Sequence, residues 1–264
     1  MKFYEFNEDE KRIDIFNERF YPRKLEGEIK WYRNVTTQLG IVDKGYYYHQ
    51  FLKSNGFNAD VITARAGDFG SLTHGLIERF LLKEKVSYYD LSFNQELATF
   101  VWERFNVWLG WFKEFSKEHK IEYKPEAVEL ITYSDTYESA GTCDWLPKID
   151  NVPCPFDWKT GKNVYDEHIV QLVTYIRFLE EEYKITIPKG YIGWFPEKKT
   201  TIDEDGKKKY SPNKKGYRII EVVNSPEAFD LYLSARKWFN KKNTDQPKIL
   251  TLPLEVNLES LTKE

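Results

Sequence analysis

Residues 139–162 read SAGTCDWLPKIDNVPCPFDWKTGK, with Asp144 in one short apolar run and Asp157 and Lys159 in the next, ahead of Gly161. Charge is costly to bury, so two carboxylates and an amine on adjacent strand-like runs need partners. Side chains alternate faces along a strand, so Asp157 and Lys159 share one face of DWK while Trp158 turns to the packed side. If TCDW pairs alongside, Asp144 joins the charged face and Cys143 the packed one. Clustered carboxylates repel and take up protons unless a cation lies between them. A hard divalent ion such as Mg²⁺ suits them, because it prefers carboxylate oxygens, keeps several waters and bridges to phosphate. Lys159 would then hold or deprotonate an attacking water, or stabilise charge building on phosphate oxygens. That chemistry is phosphodiester cleavage in outline, and a second ion would also clamp the leaving oxygen. The same spacing also describes a surface ion pair of little consequence, and spacing alone does not separate the two.

The elements that must position these residues are mixed. WYRNVTTQLGIV reads as a β-rich entry into a helix start, with Thr36 or Thr37 as N-cap. From Asp68, the spacing of Leu72, Leu76, Ile77, Phe80 and Leu81 predicts an amphipathic helix, with His74 and Glu78 sharing another face. The aromatic stretch QELATFVWERFNVWLGWFKEFSKEHK predicts a second helix packed on two sides. After Pro125 come three strand-like runs, AVELITYS, ESAGTCDWLPKI and PCPFDWKTG. A helix then buries Ile169, Leu172, Val173, Ile176 and Leu179, with His168 expected at its surface. KGYIGWFP and YRIIEVV are strands on either side of a Lys-rich surface hairpin, and a last helix starts at Pro226. The expected fold is α/β, a central mixed sheet flanked by helices. No repeat or linker divides residues 1–264, which read as one domain. Its expected parts are an N-terminal elaboration (1–60), a core (61–196), the hairpin insertion (197–217) and a C-terminal strand, helix and tail (218–264).

Composition narrows the function classes. Aromatic residues make up 17% of the chain, which fits an aromatic core or rings that stack on a ligand. No apolar run is long enough to span a membrane and the opening MKFYEFNEDEKR is too polar for a signal peptide, so a cytoplasmic protein with no membrane partner is expected. Two cysteines, Cys143 and Cys154, are too few for a four-cysteine metal or iron-sulfur site and read as buried or neutral thiols. The net charge of −3 argues against a protein that simply coats nucleic acid.

GTCD, twelve residues, then DWKTG resembles the signature of the PD-(D/E)XK nuclease superfamily, in particular its RecB-like exonuclease branch. Upstream, FGSLTHGLIERF resembles that branch's Gly-x-x-x-His motif at Gly70 and His74. Downstream, QLVTY resembles its Gln-x-x-x-Tyr motif at Gln171 and Tyr175, and NVTTQLGIV resembles the entry of phage-type members. Four matches in order carry more weight than one. The resemblance implies a restriction-endonuclease-like core and a DNA exonuclease, plausibly phage-encoded, serving recombination, replication or end processing. It implies Asp144 and Asp157 as ligands of Mg²⁺ or Mn²⁺, with the Trp158 carbonyl as a further ligand and Lys159 serving the water. His74 would be an added ligand or phosphate contact, and Gln171 and Tyr175 would reach the DNA or orient the site. Glu129 matches a frequent family Glu less closely, with a surface or second-shell role as its alternative, and Thr160 makes the turn beyond the site or supports it.

The iron-sulfur members need four cysteines, so that cofactor is not expected, and GK at 161–162 lacks the rest of a phosphate loop, so no nucleotide is expected either. Unwinding would fall to a separate recombination or replication protein. DNA would need a local basic groove, for which YPRK, KWYR, Arg65, Lys162 and the hairpin around Lys207–Lys215 are candidates. An endonuclease of the same superfamily, a catalytically silent DNA-binding relative and an RNA-directed nuclease stay open as alternatives.

Overall fold

The computed structural model describes residues 12–15, 18–197, 201–202, 208–209 and 216–243. Its main sheet holds eight strands among the described residues: β1 (Ile13–Ile15), β2 (Glu18–Leu25), β3 (Glu28–Asn34), β4 (Val128–Ser134), β5 (Ser139–Trp145), β6 (Phe156–Lys159), β7 (Lys189–Trp194) and β8 (Arg218–Val223). They are ordered β1-β2-β3-β5-β6-β7-β8, with β4 paired to the other edge of β5. Pairings β3 with β5 and β6 with β7 are parallel and the rest antiparallel, so the sheet is mixed as expected. Strands from both the N-terminal 60 residues and the C-terminal segment belong to it. Short strands Ile121–Glu122, Lys148–Ile149 and Val152–Pro153 form a separate small sheet.

Helices cover both faces. On one, α3 (Asn58–Leu81) and α4 (Gln95–Glu118) pack Phe69, Leu76, Ile77, Val101, Phe105, Trp108 and Trp111 against Trp145, Phe156 and Trp158 of the central strands. On the other, α5 (Asp166–Tyr183) lays Leu172 and Val173 on Ile192 and Val222. Its Val170, Tyr175 and Phe178 meet α1 (Val35–Leu39), α6 (Pro226–Lys242) and Cys143. The α5 stripe is the one its 3.6-residue period predicts. Cys143 and Cys154 are free and buried, and burial raises both thiol pKa values, so both are neutral.

Four local expectations need correction. The N-cap of α1 is Asn34, not Thr36 or Thr37: its Oδ1 accepts from the Thr36 amide at 2.6 Å. Helix α3 begins at Asn58, ten residues before Asp68, because its first half is largely exposed beside α2 (Gly45–Asn55) and carries no apolar stripe to announce it. His168 is half-buried: its Nδ1 accepts from the Tyr165 amide at 3.2 Å, satisfying an amide just before α5, and burial lowers its pKa to about 3. Arg65 is held by Glu197 through two 2.9 Å bonds and faces Glu96, so it is a structural tie between α3 and the segment after β7. Of the Lys-rich hairpin, Thr201–Ile202 pairs antiparallel with Lys208–Lys209, while most of Lys207–Lys215 lies outside the described residues.

Candidate metal-binding site

The central geometric event is the parting of β5 from β6. They pair as antiparallel partners at Trp145 and Phe156. Continued by one ladder step, the pairing would set residue 143 against 158. Instead, the Asp144 carboxylate enters the opening and its Oδ2 accepts the Trp158 amide at 2.5 Å. A side chain thus supplies the acceptor a strand carbonyl would otherwise provide. Asp144 is held between two strands, with its other oxygen directed away from the ladder.

That second oxygen faces α3. His74 Nδ1 lies 3.7 Å from Asp144 Oδ1, too far for a hydrogen bond but suited to two groups around a shared centre. Glu129 completes the arrangement: one ligand atom from each of His74, Glu129 and Asp144 falls within 4.8 Å of the others. Glu129 occupies the position on β4 opposite Asp144, between the pairs Val128–Trp145 and Leu130–Cys143. Its φ of 49° is in the left-handed region, which costs a non-glycine residue roughly 1–2 kcal/mol and concentrates at functional positions. One imidazole and two carboxylates could hold a divalent cation.

Asp157 stands beside this trio. It is 2% exposed, and the Lys159 ammonium is 2.7 Å from its Oδ2. The contact is a buried ion pair. Lys159 also donates to Gln171 Oε1 at 3.1 Å, and Gln171 Nε2 donates to Tyr175 Oη at 2.8 Å. Both α5 residues are buried, one turn apart, and form a chain that aims the ammonium. The Tyr175 ring packs against Gly141, where any Cβ would overlap it. Gly70 plays a similar part on α3, where a Cβ would come within 3.0 Å of Thr160 Oγ1, so the helix bearing His74 approaches the turn after Lys159 closely. The Trp158 ring is in the aromatic core on the other face, opposite Gly193 of β7.

The electrostatics follow the geometry. Burial pushes Glu129 up, and the Asp144 charge adds to it, to about 8. Burial likewise raises Asp157, Lys159 opposes it, Asp144 reinforces it, and the carboxyl stands at about 6. Burial would raise Asp144 too, but His74, Lys159 and the Trp158 amide together outweigh it and hold the carboxyl below its ordinary value. Burial would lower His74, and Asp144 overrides that and raises it. Carboxylates pressed this close retain protons unless a cation takes their place.

Of the residues expected at the site, His74 and Asp144 share the cluster with Glu129, Asp157 and Lys159 form the neighbouring ion pair, and Gln171 and Tyr175 hold Lys159; Thr160 lies against Gly70 of α3. Three features had weaker signals. Glu129 belongs to the cluster itself, and its only sequence cue was a place on the preceding strand. Glu78, one turn after His74, adds negative charge near Glu129; the i,i+4 spacing marks it. Gly141, inside GTCD, is spatially necessary to Tyr175. Other basic candidates are engaged elsewhere: Arg23 of YPRK pairs with Asp135 and Glu182, and Arg33 of KWYR lies 3.4 Å from Glu18. Lys162 is exposed beside the site. No helix among the described residues is long and apolar enough to cross a membrane. No protein-family model matches the chain, and no curated protein matches it.

Proposed function

We propose that this chain is a divalent-metal-dependent DNA nuclease with a PD-(D/E)XK, restriction-endonuclease-like core, acting as an exonuclease of the RecB-like type. The observation that carries the reading is the convergence of His74, Glu129 and Asp144 with the buried Asp157–Lys159 pair on the neighbouring strand. The donor set fits Mg²⁺ or Mn²⁺, since it is rich in carboxylate oxygen. Asp144, Glu129, His74 and Asp157, with the Trp158 carbonyl, would hold the ion. When bound, such an ion polarises a phosphoryl oxygen and makes a coordinated water more acidic.

The remaining work falls to the chain's own groups. Lys159 Nζ is placed to orient a water or to meet charge developing on a phosphate oxygen. Gln171 fixes the ammonium through its Oε1, and Tyr175 fixes Gln171. Trp158 Nα anchors Asp144, keeping one carboxylate oxygen on the ladder and the other in the cluster. The exonuclease assignment draws on the ordered motifs Gly70–His74, Asp144, Asp157–Lys159 and Gln171–Tyr175. Phage-encoded end processing, replication or recombination, beside a separate recombination or replication protein in the host cytoplasm, is the setting this reading implies.

Incubation with end-labelled linear DNA and covalently closed circles, in Mg²⁺ or Mn²⁺, tests it. Degradation of the linear substrate alone is expected. Cutting of circles would make the chain an endonuclease, and failure to degrade either substrate with any divalent ion would remove the nuclease reading.

A further inference from the structure

A row of side chains leads away from Lys159 across the sheet. In the parallel register of β6 and β7, Lys159 is paired with Trp194, and in the antiparallel register of β7 and β8, Trp194 is paired with Arg218. Paired residues on neighbouring strands present their side chains to the same face about 5 Å apart. Lys159, Trp194 and Arg218 therefore form a cationic, aromatic and cationic sequence that starts at the site. Trp194 is fixed by its Nε1, which donates to the Gly161 carbonyl at 2.8 Å. Beside it is a cleft of about 330 Å³ lined by Asn163, Val164, Tyr165, Trp194 and Arg218. That volume is at the lower end of small-ligand sites, roughly 300–1,000 Å³.

The lining has a consistent chemistry. Tyr165 is 47% exposed and faces the cleft with Trp194, so two aromatic groups are available to a planar ligand. Arg218 is exposed, and among the described residues no carboxylate is paired with it. Exposed Lys162 lies in the turn that carries Gly161. Asp166 and Glu167 open α5 just beyond, so the cationic side of the cleft is that of Arg218. Aromatic surface for bases beside a guanidinium for phosphate is the combination by which single strands are held without sequence preference.

We propose that this cleft is a subsite for the nucleotide adjoining the scissile phosphate of a single DNA strand, its base stacked on Trp194 or Tyr165 and its phosphate paired with Arg218. The strand then leaves Lys159 along β7 and β8. The assignment rests on the nuclease reading, and it adds the path of the substrate.

The test uses the full chain, labelled oligodeoxythymidine and Mn²⁺, with Trp194→Ala, Trp194→Phe and Arg218→Ala. Loss of one stacked base or one phosphate contact corresponds to about a tenfold weakening, so Trp194→Ala and Arg218→Ala are expected to raise KM about tenfold with a smaller change in kcat. Trp194→Phe keeps a ring and should stay within about threefold of the unaltered chain. Arg218→Ala should also lower the slope of log affinity against log salt by about 0.7, the single-strand value for one phosphate. Calorimetric Mn²⁺ affinity and thermal melting should be unchanged in Arg218→Ala, which separates a lost contact from a damaged fold. If the unaltered chain cleaves and both alanine variants retain its KM, the subsite is wrong while the nuclease reading stands. If the unaltered chain degrades linear duplex DNA but leaves the oligonucleotide intact, the single-strand subsite is wrong while the nuclease reading stands; if it cleaves neither, both fall together.

Discussion

Strands β5 and β6 serve two regions built on opposite rules. On the α4 side, Trp145, Phe156 and Trp158 sit with Trp108 and Trp111 in close aromatic packing, with ring centroids 5.2–6.2 Å apart. Nothing in that region needs to move or ionise, and its stability comes from buried apolar area. A residue away, at the parting of the same strands, Asp144 and Asp157 are buried with charge that the fold only partly compensates. The aromatic face can bear that cost locally because it anchors both strands independently of the charges. A site of this kind is built by concentrating stability in the aromatic core and conflict where the strands part.

The comparison can be broken from either side. Replacing Lys159 or Asp157 with alanine should abolish cleavage, with losses of about a thousandfold or more as for other transition-state-stabilising groups. The melting temperature of Asp157→Ala should not fall, since it removes a buried carboxyl held above its ordinary pKa, whereas Lys159→Ala leaves that carboxyl without its cation and should melt lower; a large loss of stability in Asp157→Ala would mean that the pair holds the sheet together. Trp158→Ala should do the reverse, destabilising by about 3–5 kcal/mol in denaturant titrations through an unfilled core volume. Gly141→Ala lies between the two. Its Cβ would displace the Tyr175 ring, an overpacking cost of about 1–3 kcal/mol, and would loosen Gln171 and Lys159 with it. Cleavage should drop in that variant, and Tyr175→Leu, which removes the hydroxyl that holds Gln171, should drop it too, with little further loss when the two are combined; fully additive losses would sever the proposed chain to Lys159.

The smallest effect concerns pH. Glu129 titrates at about 8 in the fold against an ordinary 4.5, so between those values the folded chain keeps a proton that the unfolded chain has lost. Stability therefore falls as pH rises through that window. Glu129→Gln cannot ionise and should lose most of this slope, melting higher than the unaltered chain by more at pH 8.5 than at pH 5. Asp157, held at about 6, leaves a weaker slope of the same sign below neutrality. Parallel melting curves for the two chains across this range would show that Glu129 is not under the strain its surroundings imply.

Much of this was legible before any coordinates, for reasons particular to each element. Helices α4 and α5 repeat apolar residues at helical spacing over many turns, and DWK alternates polar and aromatic residues on a buried strand, so pattern and packing agree. The first half of α3 was invisible because it buries little. Glu129 was underweighted because a positive φ leaves no trace in residue type, and Arg65 was misjudged because its carboxylate partner Glu197 is 132 positions away. The order of motifs brought His74, Asp144, Asp157 and Lys159 to one locus. The parting of β5 from β6, which creates that locus, depends on a side chain replacing a main-chain acceptor.

That replacement makes the amide of Trp158 a listening post. Its proton is shared with a carboxylate whose other oxygen belongs to the cluster, so electron density drawn from Asp144 on one side weakens the bond on the other. Nitrogen and proton resonances of this single peptide group would register what happens at the cluster, as would its rate of exchange with deuterated solvent. The fold thereby wires the centre of its sheet to the state of its charged edge.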